Sequence, residues 1–264
     1  TVALENTLTQ RLKFGSANGS DVVAMPSNYY TLPQDMKIVI PAGKVMGGLE
    51  VQLTDPFFAD PRAIKNTFVI PLKILSVVNA DSVLRGSTTK LSPDPRLLGD
   101  WGIAPKDYVL YAVKYVNPYH GVYLRRGVDE VKGSAGNTAL DTTVVYRNTF
   151  VEKDEVCNLF TKSMTQDSIS LNAKNKGNIN APFQLVLNFD NTGKCTVAGP
   201  ASASYTVTGN GTFVKKGDMW GNQKRDVLHL KYQVDFGTTT HNFTDTLVLR
   251  DRGVKFETFA PVVY

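Results

Sequence analysis

The chain has 264 residues, with 29 Lys and Arg against 24 Asp and Glu (net charge +5), 42% hydrophobic residues, 21 glycines, 13 prolines and two cysteines. That is enough apolar material for one large or two ordinary cores, and it excludes collagen-like, low-complexity and disordered classes. The basic excess is scattered; its densest spots, Arg125-Arg126, Lys215-Lys216 and Lys224-Arg225, read as charge on solvated strand edges or turns rather than the concentrated face of a nucleic-acid binder.

From the N-terminus, residues 37–40, 49–53, 67–70, 72–75 and 108–116 are β-branched or aromatic runs bounded by proline, glycine and aspartate, and they predict strands. Pro71 removes a ladder donor, which predicts an edge position or a bulge. Asp60 is placed to cap a short helix over residues 60–64, a second helical turn is expected near Pro95, and Phe57 or Phe58 should plug the end of a core. Two aspartates interrupted by two phenylalanines in residues 54–61 offer too few oxygens for calcium. Residues 87–105, rich in Ser, Thr, Pro and Gly, resemble a linker. The boundary is nevertheless set at Asn117-Pro118, because the apolar run before it needs a partner sheet.

Beyond Gly121 the pattern becomes a regular meander. Phe183, Leu185, Leu187 and Phe189 share one face of a strand, as do Leu228, Leu230, Tyr232, Val234 and Phe236. Asp190-Asn191-Thr192-Gly193 and Asp235-Phe236-Gly237 supply turns between neighbours. Sequential antiparallel strands joined in this way favour an up-and-down sheet that protects its edges by curling into a barrel.

Chemistry is sparse. There is no G-x-S-x-G elbow, no phosphate-cradling glycine loop and no H-E-x-x-H helix. Asp129-Glu130 and Asp154-Glu155 read as turn or surface charges rather than the paired acids of a glycosidase. His120, His229 and His241 occur singly, and Cys157 and Cys195 lie outside any zinc spacing, so no metal, cofactor or catalytic residue is expected. The two cysteines are compatible with a disulfide or with two buried thiols. Aromatic residues in polar loops are the most usable clue, because sugar binders stack rings on sugar faces with amides nearby. Trp220 with Asn222, Trp101 and Tyr119 are therefore the candidate ligand-binding residues. No run of about 18 apolar residues is present to form a membrane-crossing helix. A chain opening on Thr1 reads as trimmed from a longer precursor, with room for a removed export signal.

Leu32-Pro33, Ile40-Pro41-Ala42-Gly43, Leu53-Thr54-Asp55, Phe68-Val69-Ile70-Pro71-Leu72-Lys73-Ile74 and Tyr111-Ala112-Val113-Lys114-Tyr115-Val116-Asn117 resemble the N-terminal module of a family of Bacteroidetes surface lipoproteins. That module also precedes some endo-β-N-acetylglucosaminidase domains. The stretch from Gly121 to Arg252, with Phe256-Glu257, is similar to the C-terminal domain of the non-enzymatic members. The resemblance implies an all-β protein: an immunoglobulin-like β-sandwich over residues 1–117, then an antiparallel up-and-down, lipocalin-like β-barrel over residues 118–264. It also implies export, a lipid anchor upstream of Thr1 and display at the outer membrane beside a polysaccharide-utilisation system. The expected partners are a glycan and proteins of the uptake complex, with no catalysis. The alternative is a structural, adhesive or protein-interaction module.

Overall fold

Strands form where apolar and polar residues alternate, and they stop at glycine, proline and Asx turns. The computed structural model describes residues 1–264 and divides into two units, residues 1–115 with 257–264, and residues 116–256.

The first unit contains β1 (Val2–Leu4), β2 (Leu12–Phe14), β3 (Val23–Ala24), β4 (Tyr30–Thr31), β5 (Gln52–Leu53), helix α1 (Asp55–Ala59), β6 (Phe68–Ile74) and β7 (Tyr108–Val113). Strand β6 is the centre of the sheet. One edge pairs antiparallel with β7; the other pairs parallel with β3 and then antiparallel with β1. Pro71 thus lies inside a central strand, not on an edge or at a bulge. Its missing N–H falls where the neighbour changes from β3 to β1, and its carbonyl accepts the Glu5 N–H at 3.0 Å. Alternation along β6 fills two layers. Phe68, Ile70 and Leu72 join Met25, Tyr30, Phe57 and Tyr115 in one core, while Val69 joins Leu12 and Val22 in another.

Phe57 is fully buried, as expected of a core plug. The helix that carries it differs from expectation: α1 covers residues 55–59, and Asp60 follows its C-terminus, where it accepts hydrogen bonds from Tyr29 and from Arg62. Pro56 in the first turn fixes the helix start one turn earlier. Residues 37–40 and 49–51 form no strand beyond a bridge between Val39 and Gly48, since Pro41, Gly43 and Gly47 interrupt the ladder.

The second unit runs through β8 (Gly121–Gly133), β9 (Thr142–Tyr146), β10 (Glu155–Thr161), β11 (Gln166–Asn175), β12 (Ile179–Phe189), β13 (Lys194–Ala198), β14 (Thr206–Trp220), β15 (Gln223–Asp235) and β16 (Thr239–Asp251). Strands β10 to β16 pair antiparallel with their sequence neighbours, β16 pairs with β8, and β8 pairs with β10 to close an eight-stranded barrel. Strand β8 divides its free edge, giving residues 121–125 to β10 and residues 127–131 to β9. Inside lie Tyr123, Leu159, Ile169, Leu171, Phe183, Leu185, Leu187, Leu228, Leu230, Tyr232, Phe243 and Leu247, so the interior is a packed core. Cys157 and Cys195 belong to that core as free thiols; burial pushes both up to about 12, which leaves them unreactive.

The last strand, β17 (Pro261–Val263), pairs with β2. Residues 257–264 therefore belong to the first unit, although the sequence division placed them with the barrel. The apolar Val262 and Val263 find their partners on β2, where Leu12, Phe14, Phe259 and Val263 share a core.

Gly127 faces inward on β8, and a Cβ built there would lie 1.8 Å from Asp245 Oδ1 and 2.8 Å from the Thr244 carbonyl oxygen. Gly127→Ala is expected to destabilise the barrel by at least about 2 kcal/mol through overpacking. Gly48→Ala, with open space around its Cβ, is expected to stay within about 0.5 kcal/mol. Urea unfolding of the two variants measures the contrast.

Candidate functional site

The same alternation that buries Tyr123 and Val131 on β8 sends Arg125 and Asp129 into the barrel. This corrects the reading of Arg125 as a solvated edge charge and of Asp129 as a surface charge; Asp154 is buried too, paired with Arg126. The interior charges form two groups. Arg125 Nε donates to Asp245 Oδ2 at 3.0 Å and Nη1 to Glu155 Oε2 at 3.0 Å, while the Tyr232 hydroxyl donates to Asp245 Oδ2 at 2.7 Å. The guanidinium lies 4.0 Å from the Tyr146 ring centroid and 5.4 Å from that of Phe243.

Desolvation works against the charged arginine but is outweighed by Tyr232, Asp245 and Glu155, so the guanidinium holds its proton more tightly than usual. For Asp245 burial wins, and its carboxyl is raised despite Arg125 and Tyr232. Asp245 Oδ1, opposite the bare Cα of Gly127, has no hydrogen-bond partner.

Towards the other end of β8, His241 Nδ1 lies 2.7 Å from Asp129 Oδ2, and Nε2 lies 3.3 Å from Thr239 Oγ1. That order repeats a Thr-His-Asp relay. Thr239, however, donates its hydroxyl proton to Asn175 Oδ1, and Thr239, His241 and Asp129 are all buried. The arrangement orients the ring as part of the core.

The opposite face of the same strands is open. Outward residues of β14, β15, β16 and β8 line up across the ladder in two rows: Thr208, Gln233, Asn242 and Glu130, then Asn210, Lys231, Thr244 and Val128. They line a groove of about 400 Å³. Gln233 Nε2 donates to Asn242 Oδ1 at 2.9 Å, and Asn242 Nδ2 to the Glu130 carbonyl oxygen at 3.3 Å. The groove therefore presents amides, hydroxyls, one carboxylate and one ammonium, held at strand spacing.

A family model described as "Domain of unknown function (DUF5627)" matches residues 118–253, just over half of the 264-residue chain. The chain belongs to the DUF5627 family. A separate N-terminal-domain model matches residues 1–81. The chain is also similar to a crystal structure of a protein of unknown function from Bacteroides ovatus, at 38% identity and a TM-score of 0.88, over 100% of this chain and 83% of that one. No curated protein matches.

The candidate residues read from the sequence are dispersed. In the DUF5627 barrel, Trp220 and Asn222 share the β14–β15 hairpin. Asn222 is a turn residue at φ +58° beside Gly221, also at φ +58°, which is the left-handed pair of a two-residue hairpin loop. The Trp220 indole donates to Asp218 Oδ2 at 3.1 Å, and the Arg126 guanidinium lies 5.0 Å from its ring. Tyr119 stacks on Phe189 at 3.6 Å and meets Phe213 edge-on, closing one end of the barrel. Trp101 belongs to the first unit, where its Nε1 donates to the Asp94 carbonyl oxygen at 2.7 Å. The groove has no loop aromatic to point to it, since Tyr232 and Phe243 in its lining are buried strand residues; its signal is the run of outward polar residues facing one another across four strands.

One buried acid of the DUF5627 barrel has no cation. Asp167 accepts from Asn117 Nδ2 at 2.5 Å, its Oδ1 has no partner, and burial raises its carboxyl to about 7. The folded chain thus holds this proton more tightly than the unfolded one, so stability present below about pH 4 is lost as the pH rises towards 7, by up to about 4 kcal/mol. Asp167→Asn should remove that slope, its advantage over the parent growing from pH 4 to pH 7 in urea titrations. Arg125→Met should cost about 3–5 kcal/mol by stranding Asp245, and Arg125→Met with Asp245→Leu should be less harmful than the two single losses summed. Chemical denaturation of the double-mutant cycle measures the coupling.

Proposed function

We propose that the protein is a non-catalytic glycan-binding module, displayed as a lipid-anchored surface protein at the outer membrane beside a polysaccharide-utilisation system. The observation that carries this reading is the polar groove on the outer wall of β14, β15, β16 and β8. Sugars are bound through many hydroxyl hydrogen bonds, and a wall of Gln233, Asn242, Asn210, Thr208, Thr244, Glu130 and Lys231 offers donors and acceptors in a fixed array. The barrel strands hold this array rigid, which limits the ordering cost on binding. The reading does not draw on the interior charges Arg125, Asp245, Asp129 and His241, because they are buried and paired with one another. The surface setting and the immunoglobulin-like character of the first unit rest on the family resemblance; the similar Bacteroides ovatus structure supports the bacterial group alone.

A protein-interaction role within an outer-membrane complex is the second reading. It is favoured by an apolar groove of about 460 Å³ in the first unit, lined by Ile38, Leu49, Val51, Leu53 and Tyr111 among others.

A glycan array probed with the intact chain tests the first reading. Binding to at least one glycan is expected, with Gln233→Ala/Asn242→Ala weakening it about tenfold or more. An array without hits, or a double variant that binds like the parent, would refute it.

A further inference from the structure

Unlike Trp220, whose ring lies against Arg126, Trp101 borders open space. Its indole is fixed at two points: Nε1 is bonded to the Asp94 carbonyl oxygen, and the six-membered ring lies so close to Gly86 that a Cβ there would be 2.8 Å from Cε3. Gly86 has φ +81°, so the backbone conformation and the close ring contact both call for glycine. Half-buried Trp101 lines a cleft of about 380 Å³ with Ser87, Thr88, Thr89, Lys90, Asp100 and the glycines 99 and 102. Built onto Gly99, a Cβ would meet nothing within 4 Å, which leaves that side of the cleft clear.

The polar groups around the ring are preorganised. Lys90 Nζ donates to Asp100 Oδ1 at 2.7 Å, and the Asp94 N–H donates to Asp100 Oδ2 at 2.9 Å. Thr88 donates to the Asp100 carbonyl oxygen and accepts from the Lys90 N–H at 3.0 Å. The hydrogen bond from Lys90 holds the Asp100 carboxyl below its usual range, so it stays an acceptor at neutral pH. The ammonium keeps further protons to donate, and Thr89 adds an exposed hydroxyl. The ion pair is already neutralised, which disfavours an anionic ligand and suits a neutral one rich in hydroxyls.

We infer that the Trp101 cleft is a second sugar-binding site, in the first unit and separate from the barrel groove, taking a neutral pyranose whose apolar face stacks on the indole while its hydroxyls meet Lys90, Asp100 and Thr89. The choice of a sugar rests on the glycan-binding reading; the site does not depend on the barrel groove. It gives the first unit a recognition role of its own.

The chain has only two tryptophans, so Trp220→Phe leaves Trp101 as the sole indole. Titration of that full-length variant with N-acetylglucosamine, mannose and galactose, to tens of millimolar, should give a saturable emission change with at least one of them. Lys90→Ala should raise the half-saturation concentration about tenfold or more. The unaltered chain supplies a parallel readout through its two indole N–H resonances, of which the one absent in Trp101→Phe should move on titration. No saturable response by either method, or a response untouched by Lys90→Ala, overturns the proposal. Array binding lost in Gln233→Ala/Asn242→Ala with an intact Trp101 response supports the proposal. A silent Trp101 beside a groove-dependent array signal refutes this site alone.

Discussion

The barrel is organised around one buried positive charge. Arg125 has no exposed surface, and a guanidinium taken out of water loses several kcal/mol of hydration unless the fold supplies partners. Its partners come from β16 (Asp245), β10 (Glu155) and β9 (Tyr146), with β15 adding Tyr232 to the shared carboxylate. These strands surround the place where β8 passes from β10 to β9, the seam at which the barrel closes. A slip of β8 by one residue that turned Arg125 out and Leu124 in would leave Asp245 in the core without its cation. Gly127 belongs to the same device, since only a residue without a side chain leaves room for Asp245 in this register.

That device also fixes how the interior is filled. The interior is filled by leucine, isoleucine and phenylalanine, by the aromatic rings around Arg125 and by the His241–Asp129 pair. Every charge inside has been given a protein partner except single oxygens and one nitrogen, and those are sealed. A barrel of this strand number can hold a small ligand or side chains, and here side chains take the space. Polar residues without an interior partner are therefore found on the outside, where the period of two presents them in rows.

Much of this was legible in the sequence. Phe183 to Phe189 and Leu228 to Val234 alternate so regularly that strand, face and barrel follow from the pattern alone, and the turn residues fix the order of neighbours. The inward charges were legible in principle as well. Arg125 and Asp129 sit at the same parity as Tyr123 and Val131, and His241 and Asp245 at that of Phe243 and Leu247. Charge argued for exposure and outweighed parity in the reading, because the compensating groups come from strands more than a hundred residues apart. The position of Pro71 and the return of residues 257–264 to β2 were hidden for a related reason: both depend on which strand lies alongside, and a local pattern does not name its neighbour.

The two tryptophans make the same point about sites. Trp220 and Trp101 have similar settings, each flanked by glycine and by an aspartate one or two residues before it. In the structure Trp220 meets Arg126, an outward residue of β8 that is itself fixed by Asp154, so its ring already serves the barrel. The Trp101 ring is held by a backbone carbonyl and a glycine, which consume its N–H and one side of the benzo ring and leave the rest of the cleft to solvent. What separates an aromatic plug from an aromatic platform is whether a second side chain has claimed the ring. That depends on strand register and loop closure, which bring together residues the local sequence keeps apart.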